Sequence, residues 1–278
     1  MLDFWVAIPD SALADEQTKR DRSVKIAQLA RAFSIFRVNK VFIYRDREHD
    51  YNADRRLLKL LLEFLDTPQY LRRRLYPRRE ELQFAGLLHP LKVPHHKPAV
   101  DPSKIKVGEI RQAVVAKVKG QYFADAGLNA LIPVEGSAPT GKRITIRFVS
   151  EYPKLRCKAI SNEEIKEYWG YEVKEVQSLA DLLNSIKGSI IMTSKEGEPL
   201  GAVEQELTRE LRSTPSTLVV FGSPNRGLRS ILKDEGKHPR EFTKYFLNFF
   251  PKQATATVRL EEAVICCLSL LNYLFTNN

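Results

Sequence analysis

From Phe4 to Tyr44 the chain reads strand, helix, strand, and that order alone narrows the fold to a parallel α/β sheet. Phe4-Trp5-Val6-Ala7-Ile8 is an apolar run of strand length that stops at Pro9-Asp10. Residues 18–36 then place Val24, Ile26, Ala27, Leu29, Ala30, Phe33 and Phe36 close to helical spacing, and Lys40-Val41-Phe42-Ile43-Tyr44 is a second strand. Such a unit joins parallel neighbours through a right-handed crossover. The alternation returns after Asn162: residues 171–176 read as a strand, 178–186 as a helix opened by a Ser178 N-cap, and 188–193 as another strand.

The stretch between these halves has a different texture. A leucine-dense helix is predicted over 54–65, with Pro68 interrupting it. Tyr70-Leu71-Arg72-Arg73-Arg74-Leu75-Tyr76 follows, a basic segment with two tyrosines. Residues 90–102 are Pro-rich and extended, and 108–118 and 142–149 read as strands, the second alternating charged and apolar side chains. Turns at Gly120, Gly127, Gly136 and Gly141 divide short strands in the manner of a small β-barrel. The expected organisation is therefore one α/β domain, residues 1–92 and 163–278, interrupted by a barrel over 93–162. Insertions of this kind are tolerated where their entry and exit points lie close together.

The chain carries a net charge of +10, and residues 93–162 hold +7 of it, with 12 Lys and Arg against 5 Asp and Glu. Charge concentrated in one segment points to a polyanionic partner, because each neutralised phosphate releases counterions. On this reading Lys117, Lys119, Lys142 and Arg143, together with Arg72, Arg73 and Arg74 of the tyrosine-flanked basic segment, are candidate nucleic-acid contacts; the alternative is a solvated basic surface. At 278 residues and 43% hydrophobic the chain can bury a sizeable core. It has no apolar run of membrane-spanning length, and its N-terminus does not read as a leader, so a cytoplasmic protein is expected. Cys157, Cys266 and Cys267 make no disulfide framework and read as core residues, while the five histidines lack zinc-site spacing, so no metal is expected.

The segments after the last strands are rich in glycine, proline and small polar residues. Phe221-Gly222-Ser223-Pro224-Asn225-Arg226-Gly227-Leu228 follows the apolar run Thr217-Leu218-Val219-Val220, and residues 248–257 run into an apolar helix. Bare backbone at such junctions is open to a small cofactor. Arg259-Leu260-Glu261-Glu262 opens the last helix, where its acids suit the helix dipole or, alternatively, serve as a base. The apolar residues Val264, Ile265, Leu268, Leu271 and Leu274 exceed what one core face needs, which points to a partner surface.

Several segments together resemble the SPOUT class of methyltransferases that act on RNA, in the archaeal and eukaryotic branch with an inserted OB-like barrel. The resemblance spans nearly the whole chain. It rests on Val6-Ala7-Ile8-Pro9, on the helix Gln28-Leu29-Ala30-Arg31-Ala32-Phe33-Ser34-Ile35-Phe36, on Leu82-Gln83-Phe84-Ala85-Gly86-Leu87-Leu88-His89-Pro90-Leu91, on Tyr168-Trp169-Gly170-Tyr171-Glu172-Val173 and on the two C-terminal segments. It implies a Rossmann-like α/β domain with a C-terminal trefoil knot, a homodimer, and S-adenosylmethionine held by three converging loops. Carried onto this sequence, the cofactor contacts are Thr193, Ser194 and Gly197; Phe221, Gly222, Ser223, Gly227 and Leu228; and Phe250, Pro251, Gln253, Thr255 and Thr257.

Arg22, just before the first helix, matches the place where an arginine of the family approaches the target nucleotide, with Arg31 as its rival and Arg20 close by. For all three, a surface salt bridge is the plain alternative. The implied reaction is methylation of RNA, with uridine N3 of ribosomal RNA as the expected acceptor. A non-catalytic RNA-binding or ribosome-assembly protein of the same fold is the alternative, and a protein methyltransferase a third reading that the basic barrel disfavours.

Overall fold

The computed structural model describes residues 3–276, which form two compact units. The first comprises the chain up to Glu63, Gln83–His89 and the chain from Tyr171 onward. At its centre lies a six-stranded parallel sheet built from β1 (Asp3–Pro9), β2 (Val38–Tyr44), β8 (Glu172–Val176), β9 (Ser189–Pro199), β10 (Ser216–Val220) and β11 (Tyr245–Asn248). The spatial order is β11-β9-β10-β1-β2-β8. The inner strands are buried along most of their length, as apolar runs covered on both faces must be: Val6, Ile8, Val41, Ile43, Leu218 and Val219 are inaccessible to solvent.

Helix α1 (Lys19–Ile35) starts where the sequence predicts, with the Asp21 amide donating to the Thr18 hydroxyl at 3.1 Å. Helix α2 spans Asn52–Asp66, slightly beyond the expected 54–65. Ser178 caps α4 (Leu179–Ser185) as predicted, accepting from the Asp181 amide at 3.0 Å. Two helices lie outside the sequence expectations: α5 (Leu200–Ser213), which buries Leu207 and Leu211 one turn apart, and the short α6 (Leu228–Asp234).

The last helix, α7 (Leu260–Thr276), corrects one expectation. Val264, Leu268, Leu271 and Leu274 are core residues of this chain, because α7 packs on α1 and α5. Of the five residues read as a partner surface, Ile265 alone is exposed, at 41%, together with Leu270 and Tyr273. Cys157 and Cys267 are buried as expected, but Cys266 is exposed.

The second unit comprises Phe64–Leu82 and Pro90–Gly170. Five strands close into a barrel in the order β3-β4-β5-β7-β6: β3 (Ile110–Val118), β4 (Gln121–Asp125), β5 (Ile132–Glu135), β6 (Arg143–Phe148) and β7 (Cys157–Ile160). Ala113, Val115, Ala124, Ile132, Ile146 and Phe148 fill the interior, small residues alternating with large ones as a narrow barrel requires. The β3–β4 hairpin turns on Lys119 and Gly120, both at positive φ (49° and 84°), the backbone of a two-residue turn matched to strand twist. α3 (Gln69–Leu75) belongs to this unit. Its Tyr70 hydroxyl donates to the Gln112 carbonyl at 2.8 Å, and its ring lies where any Cβ at Gly127 would stand.

Candidate functional site

Three chain segments, one a bulge within β9 and two following β10 and β11, enclose a cleft of about 600 Å³ in the first unit. Ligands of open parallel sheets bind at the carboxyl ends of strands. The first segment lies inside β9 and is not the free loop predicted. β11 pairs with Met192 and then with Glu198, leaving residues 193–197 as a wide bulge. Thr193 and Ser194 face the cleft, and the Thr193 hydroxyl donates to the Val220 carbonyl at 3.0 Å. Gly197 does not line it. A Cβ there would come within 2.5 Å of the Leu247 carbonyl carbon, so this glycine serves the approach of β11.

The second segment leaves β10 at Phe221 and folds back on itself. The Ser223 amide donates to the Arg226 carbonyl, and the Arg226 amide to the Ser223 hydroxyl, both at 2.9 Å. Gly222 sits inside this turn, where a Cβ would meet the Arg226 carbonyl oxygen at 2.8 Å; a Cβ at Gly227 would stand in open space. Phe221, Gly222, Ser223 and Gly227 line the cleft, whereas Leu228 turns into the hydrophobic core. From the third segment Phe250, Gln253 and Thr257 line it, but Pro251 and Thr255 stand exposed outside it.

Side chains stitch the segments together. Asn248 donates through Nδ2 to the Lys195 carbonyl at 2.8 Å, while Lys195 Nζ and Gln253 Nε2 reach the Ala256 carbonyl at 3.1 and 3.3 Å. The walls combine Phe221, Leu247, Phe249 and Phe250 with Gly222, Gly227, Ser223 and Thr257, a lining that suits an aromatic ring with polar attachments. The sequence does not single out the cations of this cleft, Lys195, Arg226, Arg229 and Lys233, because their placement follows from the β9 bulge, the turn of the loop and the start of α6.

Neither Arg22 nor Arg31 lines the cleft of its own chain. Arg22 lies within the start of α1 rather than before it, since the helix begins at Lys19. It donates from Nη1 to Asp54 at 2.8 Å and from Nε to the Glu16 carbonyl at 3.0 Å. Burial raises the Asp54 carboxyl, and the Arg22 charge opposes that shift. Arg31 lies exposed on α1. Near Arg22, Lys25 is 1% exposed and pairs with Asp15, with Glu261 at 3.3 Å and with Glu16 at 3.9 Å, and Arg259 lies 3.8 Å from both Glu16 and Glu261. Glu261 thus neutralises a buried lysine, and Glu262 accepts the Arg259 amide at 3.0 Å as a helix cap.

In the second unit the candidate RNA contacts divide. Arg72 stacks over Phe64 at 4.6 Å and donates to the Thr67 and Leu65 carbonyls, and Arg143 pairs with the buried Asp66 at 2.8 Å, so both hold the unit together. Arg74 pairs with Asp125 at 3.0 Å. Arg73, Lys117, Lys119 and Lys142 are exposed, with Lys117 lying over the Tyr122 ring at 5.3 Å. Behind Arg143, the buried His95 and half-buried His96 both place Nε2 on the Asp66 carbonyl, at 2.7 and 2.9 Å, and burial together with the neighbouring His95 pushes His96 down to about 4.

Among the described residues no His, Cys, Asp and Glu group is arranged to hold a metal, and no helix is long and apolar enough to cross a membrane. A family model described as "Putative RNA methyltransferase" matches residues 3–271. A protein of Drosophila melanogaster named 28S rRNA (uridine-N(3))-methyltransferase is 27% identical over 96% of this chain, and the alignment covers 61% of the fly protein. The Homo sapiens protein of the same name is 26% identical over 96% of this chain and 77% of its own length. An uncharacterized protein of Halobacterium salinarum is 29% identical over 96% of this chain and 97% of its own. Membership of such a family implies a methyl donor. Because the matched region runs through both units and every segment that lines the cleft, the chain belongs to this RNA methyltransferase family.

Proposed function

We propose that the chain is an S-adenosylmethionine-dependent methyltransferase acting on uridine N3 of ribosomal RNA, with the cofactor in the three-segment cleft. The observation that carries this reading is the cleft itself, at the strand ends of a chain whose relatives over 96% of its length include proteins named for that reaction. Its volume, its phenylalanine walls and the open space at Gly227 fit an adenosine with a polar tail. Phe221, Phe250 and Leu247 would take the base, and Thr193, Ser194, Ser223, Gln253 and Thr257 the polar ends. Bound there, S-adenosylmethionine supplies an electrophilic sulfonium methyl group.

The chain's own part is to position and activate the acceptor. Uridine N3–H is a weak acid, and a guanidinium beside the base stabilises its anion. Arg22 is the residue proposed for that role, with Arg31 as the alternative. Because Arg22 does not line its own chain's cleft, the reading includes a homodimer in which a second copy brings Arg22 to the nucleotide, joined in part through the exposed Ile265, Leu270 and Tyr273 of α7. We further propose a SPOUT-type trefoil knot over the C-terminal cleft segments, with the first unit as the catalytic domain; its compact boundaries leave residues 64–82, 90–92 and 163–170, expected in that domain, with the barrel unit. The barrel over 93–162 is read as an OB-like RNA-holding insert; its exposed Lys117, Lys119 and Lys142 support this, and a cytoplasmic setting accompanies it.

The test is mass spectrometry of ribosomal RNA nucleosides from cells with and without the gene, followed by restoration with purified protein and S-adenosylmethionine. Loss and recovery of 3-methyluridine is the expected result. Loss of another methylated nucleoside would move the acceptor atom. Unchanged nucleosides alongside retained RNA binding would favour the assembly-protein reading, and label appearing in protein would favour the third.

A further inference from the structure

The loop from Phe221 to Leu228 is anchored by residues at the end of β2. Tyr44, inaccessible to solvent, donates its hydroxyl to the Phe221 carbonyl at 2.6 Å. Two residues on, Asp46 is also fully buried and receives Arg226 Nη1 at 2.8 Å and the Ser11 hydroxyl at 2.7 Å. Its own amide donates to Asp10 Oδ1 at 2.8 Å. The other Arg226 amino group reaches Asp234 at 2.6 Å and the Ser230 hydroxyl at 3.0 Å on α6, with Glu48 3.9 Å from Nε. A carboxylate as buried as Asp46 demands a partner with good geometry. The partner it has is the residue whose backbone closes the turn around Gly222, and Arg226 itself lines the cleft with its side chain only 12% exposed.

We propose that Asp46 and Arg226 are positioning residues: their ion pair, with the Tyr44 hydrogen bond, fixes the backbone of this loop in the form that receives the cofactor. The inference rests on the reading that the cleft takes S-adenosylmethionine. It assigns a role to an arginine in the site that is not nucleotide contact. Its guanidinium is engaged by Asp46, Asp234 and Ser230, so what it contributes to the cleft is the placement of the Ser223–Gly227 amides and carbonyls.

The experiment is calorimetric titration of S-adenosylmethionine into wild type, Asp46→Asn, Arg226→Met, Arg226→Lys and the double variant Asp46→Asn/Arg226→Met, with thermal unfolding of each. Either single removal should weaken cofactor binding by at least about tenfold, the scale of a lost charge-assisted pair. Arg226→Lys, which keeps the charge without the fork, should fall between. The double variant leaves neither charge buried alone, so its melting temperature should return toward wild type while its cofactor affinity stays at the level of the single variants. A purely structural pair would let stability and affinity recover together, and that outcome overturns the proposal. Wild type that binds, with all variants equal to it, overturns the clasp alone. Wild type that fails to bind overturns the cofactor reading, and the clasp's purpose with it.

Discussion

The arginines of the cleft and those of the barrel unit look alike in the sequence and are used in different ways. At the cleft, Arg226 is tied to Asp46 and Asp234 and shapes a loop whose backbone faces open space. In the barrel unit, Arg72 and Arg143 are tied to carbonyls and to Asp66 and hold packed segments together, while the neighbouring Arg73, Lys117, Lys119 and Lys142 stand in solvent. A guanidinium's role is set by what else is buried beside it, since a charge facing a buried acceptor is structural before it can be functional. Net charge therefore overstates the surface available to RNA.

The largest effect that would break this contrast lies at the cleft. Gly222→Val places its side chain against the Arg226 carbonyl, so the turn must shift to admit it, and cofactor affinity should fall about a hundredfold. Gly227→Val has room, should fold normally, and should block binding by filling the cleft instead. Ser223→Ala loses only the bond to the Arg226 amide and should cost a few-fold. Calorimetry together with melting curves separates the three, and a Gly222→Val protein that binds normally would remove the constraint attributed to that turn.

In the barrel unit the sharpest test is acid. His96 is held at about 4 in the fold against an ordinary 6.5, lowered first by burial and then by His95. Its folded pKa lies below its unfolded one, so the unfolded chain binds the extra proton. The resulting stability is fully present above pH 6.5 and is lost as pH falls toward 4, by on the order of 2 kcal/mol after allowance for partial exposure. Denaturant titrations across that window should show the loss in wild type and a flatter profile in His96→Gln.

Arg22→Ala should lower single-turnover methylation of a verified RNA by at least about tenfold, or roughly 1.4 kcal/mol of transition-state stabilisation, with cofactor affinity intact. Unchanged turnover would pass the role to Arg31. The smallest effect belongs to the barrel surface. Lys117→Gln and Lys119→Gln should each weaken RNA binding about threefold and flatten its salt dependence, whereas Arg143→Gln should lower the melting temperature more than RNA affinity.

The fold was legible where local chemistry decides it. Apolar runs of strand length, the helical spacing of residues 18–36, the Ser178 cap and the charge alternation of residues 142–149 each declare an element without help from the rest of the chain. The site was legible in outline, because residues 221–227 and 250–257 follow strands and lack bulk, yet Gly197, Leu228, Pro251 and Thr255 fall outside the cleft. Those four depend on which way a bulge or a helix start turns, and that is set by β11 and the core. The anchor at Asp46 could not be read, since 180 residues separate it from Arg226. The assignment of Val264, Leu268, Leu271 and Leu274 to a partner surface failed for the same reason: an apolar helix does not announce which of its faces its own chain will cover.

The buried Lys25 has a mechanical consequence. It joins α1 to the first turn of α7 through Glu261, and Glu16, which shares that charge group, also offers its carbonyl to Arg22. The end of the cleft and the arginine proposed for RNA are thus mounted on one frame. A shift of α7 that reshapes the walls at Leu260 or Ala263 has to stretch or carry the Lys25–Glu261 pair, and through Lys25 and Glu16 the segment that holds Arg22.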